Sequence, residues 1–152
     1  MSLELIRAKI KSKLESISGI GNVQDYSRHT VNWDEVETFF KKDGRLHLWE
    51  IGWASGSQEK TFSGCLALKR IHRFEIVGVY ALKDAVASAK TFENLVEDVL
   101  DEFTKEEELI SKVRWPEDEP PNLASIEERM FVGALCHRAL INLVYEEQVS
   151  FT

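Results

Sequence analysis

The sequence predicts an α+β fold: a mainly antiparallel sheet with a long projecting β-hairpin, packed against an N-terminal helix and one long amphipathic helix. Three observations predict it. Residues 65–82 contain no proline and one glycine, and they alternate for almost their whole length. Phe92, Leu95, Val96, Val99, Leu100 and Phe103 recur at the three- and four-residue spacing of a helix face. Strand-like segments come in blocks and not as repeated βαβ units, which argues for antiparallel pairing.

Taken in order, Leu3, Ile6, Ile10, Leu14 and Ile17 form the apolar stripe of the first helix, with Arg7, Lys9, Lys11 and Lys13 on its wet sides. Ser18–Gly19 and Gly21–Asn22 end it. Val23 to Tyr26 reads as a short strand. Asn32 and Glu35 have capping-box spacing and open a short helix bearing Trp33, Val36, Phe39 and Phe40. Asp43–Gly44 is a turn. Arg45 to Trp53 is a strand with His47, Trp49, Ile51 and Trp53 on one face. The polar stretch from Ala54 to Thr61 reads as the loop joining it to the long strand.

The long strand presents Leu66, Leu68, Arg70, His72, Phe74, Ile76, Gly78, Tyr80 and Leu82 on one face. At about 3.3 Å per residue it would run roughly 55–60 Å. A globule of this chain length is only about 40 Å across. The strand therefore bends at a bulge or projects, and the hairpin arm is placed at residues 45–82. Asp84 is a candidate N-cap for the Phe92–Phe103 helix. Thr104 and Glu107 have the spacing to cap a further short helical piece with Leu109, Ile110 and Val113. Residues 114–122 form an acidic, proline-containing loop. The closing segment, Ile126 to Phe151, is strand-like, and both of its faces are largely apolar around Ala139 to Tyr145.

The 152 residues suit a single domain with one core. A formal net charge of -7 argues against a general nucleic-acid binder. The charge is also uneven. Residues 1–75 hold 12 basic and 10 acidic side chains, and residues 76–152 hold 7 and 16. Two copies of such a molecule have opposite ends that attract. Two cysteines outside any CxxC pair, Cys65 and Cys136, fit buried thiols in a reducing compartment. The N-terminal stretch lacks the apolar core of a signal peptide, and no apolar run is long enough to span a membrane.

No catalytic, cofactor or metal motif stands out. Gly19-Ile20-Gly21 lacks the third glycine of a dinucleotide loop and follows a helix. The four histidines are scattered, with no HExxH. Cys136 and His137 point to opposite faces of a strand. The expectation is therefore no enzyme and no cofactor. Two features remain. One is the basic cluster Lys69, Arg70, His72 and Arg73 at the waist of the long strand. The other is the acidic run of Glu97, Asp98, Asp101, Glu102, Glu106, Glu107 and Glu108, continued by Glu117, Asp118 and Glu119. The acidic run reads either as a solvated surface or as an interface or channel wall that DNA phosphates slide past.

The order of elements resembles the tail terminator and tail-completion proteins of tailed bacteriophages. The resemblance rests on four segments covering most of the chain. They are the Leu3-Glu4-Leu5-Ile6-Arg7 helix, the hairpin ending in Phe74-Glu75-Ile76-Val77-Gly78-Val79-Tyr80, the helix from Thr91 to Phe103, and the strand Ala139-Leu140-Ile141-Asn142-Leu143-Val144-Tyr145. It implies a structural virion protein that forms a ring, as a hexamer, at the head-proximal end of the tail tube. There it would stop tube polymerisation and join the tail to the neck while DNA passes through.

The implied partners are further copies of the chain, the tail tube protein, neck or connector proteins and a sheath, with DNA only as transiting cargo and no membrane. The implied location is the virion, with the host cytoplasm during assembly. A head-to-tail interface would use exposed aromatics, Trp49 and Trp53, with Lys69, Arg70 and Arg73 meeting the acidic helix end of the adjacent subunit. Two other readings stand beside it: a different head–tail connector, and a small intracellular protein-binding, inhibitor-like module.

Overall fold

In a computed structural model, the structure describes residues 2–25, 41–42, 45–60, 67–82, 87–131 and 134–150. The elements in chain order are α1 (Ser2–Glu15), β1 (Asn22–Gln24), β2 (Lys41–Lys42), β3 (Arg45–Lys60), β4 (Ala67–Ala81), α2 (Ser88–Thr104), β5 (Glu108–Ile110), β6 (Val113–Arg114), β7 (Asn122–Phe131) and β8 (Ala134–Ser150). The short helix expected around Asn32–Phe40, the Asp43–Gly44 turn, the Asp84 cap and Cys65 lie outside the described residues.

The architecture corrects the α+β expectation. The protein is mostly sheet, with two helices among the described residues and one curled, mixed sheet that forms a half-barrel. Strand order is β1-β3-β4-β8-β6-β5, with β2 added to β3 and β7 to β8. The sheet is mixed because β1 pairs in parallel with β3, Asn22 opposite Leu48. A single long amphipathic helix does not organise the fold. α2 has 17 residues, about 25 Å at 1.5 Å each, and β8 alone has 17 residues at more than twice that rise.

The projecting hairpin is corrected as well. β3 and β4 pair from His47–Tyr80 out to Lys60–Leu68. The stretch after Trp53 is therefore strand through Lys60 and not a loop, with a bulge between Trp53 and Ser55. On its other edge β4 pairs with β8 along its entire length, from Ala81–Cys136 to Ala67–Ser150. A two-stranded arm would leave both edges of the outer hairpin open; here β8 closes one of them. The length mismatch is resolved by carrying three strands outward together.

Alternation assigns the faces. Trp49 and Ile51 of β3, Phe74 and Ile76 of β4, and Ala139, Ile141, Leu143 and Tyr145 of β8 point to one side. There they meet Ile6, Ile10 and Leu14 of α1 and Phe92, Leu95, Val96, Val99 and Phe103 of α2 in one core. Phe92 is its aromatic hub, stacked on Trp49, Tyr80 and His137 at centroid distances of 6.0, 5.9 and 5.8 Å. Lys13, expected on a wet side of α1, is buried and faces Glu102 and Glu106 at 4.0 and 3.9 Å, fastening α1 to the end of α2. The α1–β1 corner requires glycine at Gly21. Its φ is +85°, and a Cβ there would fall 2.7 Å from the His47 ring.

The helical piece expected after Thr104 is strand instead. Lys112, at φ 67°, turns the chain between β5 and β6, and β6 adds to the edge of β8. The open edge supplies backbone partners that an isolated helical turn would lack, and Leu109 and Val113 are buried by it.

Tyr145 lies 1% exposed in this core, and burial pushes its phenol above the usual range. Burial raises the Cys136 thiol in the same way. The folded pKa exceeds the unfolded one in both cases. The associated stability is therefore complete below the unfolded pKa and is lost as pH rises through it. We expect the unfolding free energy to fall above pH 10, by about 1.4 kcal/mol per pH unit for Tyr145. Tyr145→Phe should reduce that slope. Urea titrations between pH 8 and 12 check this, and identical slopes in the two proteins would count against it.

Candidate functional site

The helix layer ends before the sheet does. On the helix-bearing face, α1 begins at Ser2, beside Trp53, and the outer ends of β3, β4 and β8 continue past it. Every residue from Trp53 to Lys60 is exposed, Trp53 by 46%. The start of α1 and this outer sheet enclose an open groove of about 640 Å³, lined by Leu3, Trp53, Gly56, Gln58, Arg70 and His72 among others. The Trp53 indole lies over Gly56, where a Cβ would meet its Cζ2 at 2.7 Å.

The groove wall holds a buried polar pair. His72 Nε2 lies 2.9 Å from Glu147 Oε2 on the neighbouring strand, the two residues 6% and 8% exposed. A carboxylate accepts, so Nε2–H donates. His72 Nδ1 is enclosed with no hydrogen-bond partner among the described residues. An unsatisfied buried nitrogen costs about 1–3 kcal/mol. Trp53 and Phe74 flank the ring at 6.2 and 6.4 Å. Arg70 donates from Nε to Gln58 Oε1 at 2.8 Å, and the positive end of the α1 dipole opens on the same groove. Arg70 and the helix dipole favour an anionic group beside an aromatic wall, and Nδ1, whose ring partner Nε2–H is engaged, offers its lone pair to a donor.

The other sequence-predicted residues are distributed as follows. Trp49 is not a surface aromatic. It is fully buried, because α2 covers this part of β3 and stops short of Trp53 four residues on. Lys69 sits 3.5 Å from Glu59 and 3.4 Å from Glu146, and its hydrogen bond to Glu146 above all holds its ammonium pKa up. Arg73 points to the face opposite the groove and grips Glu119 with Nη1 and Nη2, at 2.9 and 3.3 Å; that hydrogen-bonded carboxylate raises its pKa. The basic cluster is thus engaged by carboxylates and an amide of its own chain.

Among the acidic residues, Glu102 is half-buried between Lys13 and Lys105. Asp101, Glu106, Glu107 and Glu108 line the exposed exit of α2 and the start of β5. Glu117 and Asp118 are exposed in a turn closed by a hydrogen bond from Glu119 N to Pro116 O at 3.1 Å.

Sequence reasoning missed Gln58 as a groove residue and Glu147 as the partner of another, His72. Glu147 carries a readable signal: it breaks the Ala139, Ile141, Leu143, Tyr145 alternation with a charge. A second buried polar contact was also missed. Ser88 Oγ lies 2.9 Å from His137 Nε2, both residues enclosed under Phe92 where α2 begins. Ser88 is 1% exposed, so this contact ties the helix start to β8 and presents no accessible nucleophile.

No protein-family model and no curated protein matches the chain. Its function is therefore argued from its own surface. Among the described residues no cluster of His, Cys, Asp and Glu has the geometry to hold a metal ion, and no helix is long and apolar enough to cross a membrane.

Proposed function

We propose that the chain is a structural assembly protein of the tail-terminator type, whose copies join head to tail in a ring on the end of a bacteriophage tail tube. The ring stops tube polymerisation, offers its other side to neck proteins, and lets DNA through. The observation that carries this reading is the outer sheet. Three paired strands extend past the helices as a stiff platform that leaves Trp53 and the whole of 54–60 in solvent. A monomer that keeps an aromatic side chain exposed on a preformed platform has a surface suited to a partner. The exposed carboxylates of Asp101, Glu106, Glu107 and Glu108 support the passage of DNA, since a negative wall repels phosphates. In this role the protein resides in the virion and, during assembly, in the host cytoplasm.

Light scattering coupled to gel filtration, with negative-stain imaging, tests it. Closed rings are expected, alone at high concentration or on added tail tubes. A stable monomer that ignores tubes and captures one basic partner would instead identify an inhibitor-like module. Rings that bind portal–connector complexes and not tubes would identify a different connector.

A further inference from the structure

We infer that the Glu117–Asp118 turn of one copy plugs into the Trp53–His72 groove of the next, an inference that rests on the ring-forming reading above and names its contact. Socket and plug lie on opposite faces of the same sheet. Gly56, Gln58, Arg70 and His72 occupy the helix-bearing face. Arg73, adjacent to His72 in β4, points to the other face, and there it holds Glu119. A contact between opposite faces of identical molecules is head-to-tail by construction, the geometry that repeats into a ring or filament.

The plug is preformed. The Glu119 N to Pro116 O hydrogen bond places Glu117 and Asp118 at the turn's two central positions, both exposed. Behind the turn, Pro116 is buried, Trp115 donates from Nε1 to Glu106 O at 3.2 Å, and Arg73 fixes Glu119. A loop held this way loses little freedom on docking.

The socket fits it in charge and in chemistry. Arg70 and the first turn of α1 give it positive potential. His72 keeps its Nδ1 enclosed in the wall without a partner among the described residues, while Glu147 occupies Nε2 from the neighbouring strand. A turn entering beside Trp53 brings its carboxylates to Arg70 and a backbone N–H to Nδ1, the acceptor of a ring whose Nε2–H is already engaged, and the indole covers the aliphatic stem of the glutamate. The charge imbalance between chain halves acquires a specific use: an acidic turn from the negative half meets a socket built mostly from the positive half.

Cross-linking tests this. Gln58→Cys and Asp118→Cys are introduced together with Cys65→Ala and Cys136→Ala, and the protein is oxidised at the concentration where it assembles. A ladder of covalent oligomers is expected from the double variant, and dimers alone when the two single variants are mixed. Ser2→Cys, at the start of α1 on the groove, replaces Gln58→Cys if the latter lowers stability. Glu117→Lys with Asp118→Lys should weaken assembly about tenfold or more, since like charges then face each other. Rings of unchanged mass and stability from that charge-reversed protein, or rings without a cross-link, would overturn the plug-and-socket contact and leave the ring-forming reading intact. A protein that stays monomeric even on tail tubes would overturn both.

Discussion

Replacing Trp49 by alanine is expected to lower the unfolding free energy by about 3–5 kcal/mol, the largest effect of any single truncation among the described core residues. Trp49 is the largest fully buried side chain among the described residues. It is held between α2 and the sheet, its ring stacked on Phe92 at 6.0 Å and 29°. It also lies flat over Gly78 of β4, where a Cβ would come within 2.6 Å of Cη2 and Cζ3. The cavity left by alanine borders rigid strands on one side and Phe92 on the other, so collapse recovers little.

Two further substitutions make the prediction specific. Trp49→Phe keeps most of the stacking and removes Nε1, which is buried without a hydrogen-bond partner among the described residues. It should cost only about 1–2 kcal/mol, because the lost volume is partly offset by removing an unsatisfied donor. Gly78→Ala should be destabilising alone yet nearly neutral in the Trp49→Ala protein, since the clash disappears with the ring. A double-mutant cycle by urea unfolding measures that coupling. Additive costs would show that the indole does not rest on Gly78.

The contrast between Trp49 and Trp53 shows what the sequence carried and what it did not. Alternation put both on one face of β3, and that holds, since Trp49 pairs with Gly78 and Trp53 with Phe74. Alternation says nothing of where a helix above the sheet stops. That boundary alone separates a fully buried tryptophan from one 46% exposed. Strand pairing was similarly hidden. Ala54–Lys60 reads as loop by composition, and it is strand because β4 supplies its backbone partners. Glu108–Ile110 and Val113–Arg114 form strands because the edge of β8 was open to them. The outward hairpin became a three-stranded platform for the same reason, since nothing local in residues 146–150 announces pairing with residues 67–71. Of the groove, the basic waist was legible as an interruption of an apolar face. Its partners were not: Arg73 finds Glu119 at a separation of 46 residues and His72 finds Glu147 at 75, distances over which periodicity has no reach.

The His72–Glu147 pair provides the second large effect, and it separates stability from assembly. Glu147→Ala is expected to cost about 2–3 kcal/mol, because it leaves the buried Nε2–H without its acceptor. Glu147→Gln retains an acceptor at the same place and should cost about 1–2 kcal/mol. Replacing both residues by apolar groups, His72→Phe with Glu147→Leu, should return the protein to within about 1 kcal/mol of its starting stability. The site is flanked by Trp53, Phe74 and Tyr145, and a well-packed apolar pair needs no desolvation of charge. A cost below about 1 kcal/mol for Glu147→Ala would mean that the pair behaves as a solvent-screened surface contact. The double variant then becomes the informative protein for function. It keeps the fold, the exposed Trp53 and the acidic turn, and it lacks the enclosed Nδ1 that a backbone N–H of the plug would satisfy. If His72 serves only the interior, this protein should assemble like the original. If its second nitrogen receives the plug, assembly should weaken while the melt stays where it was.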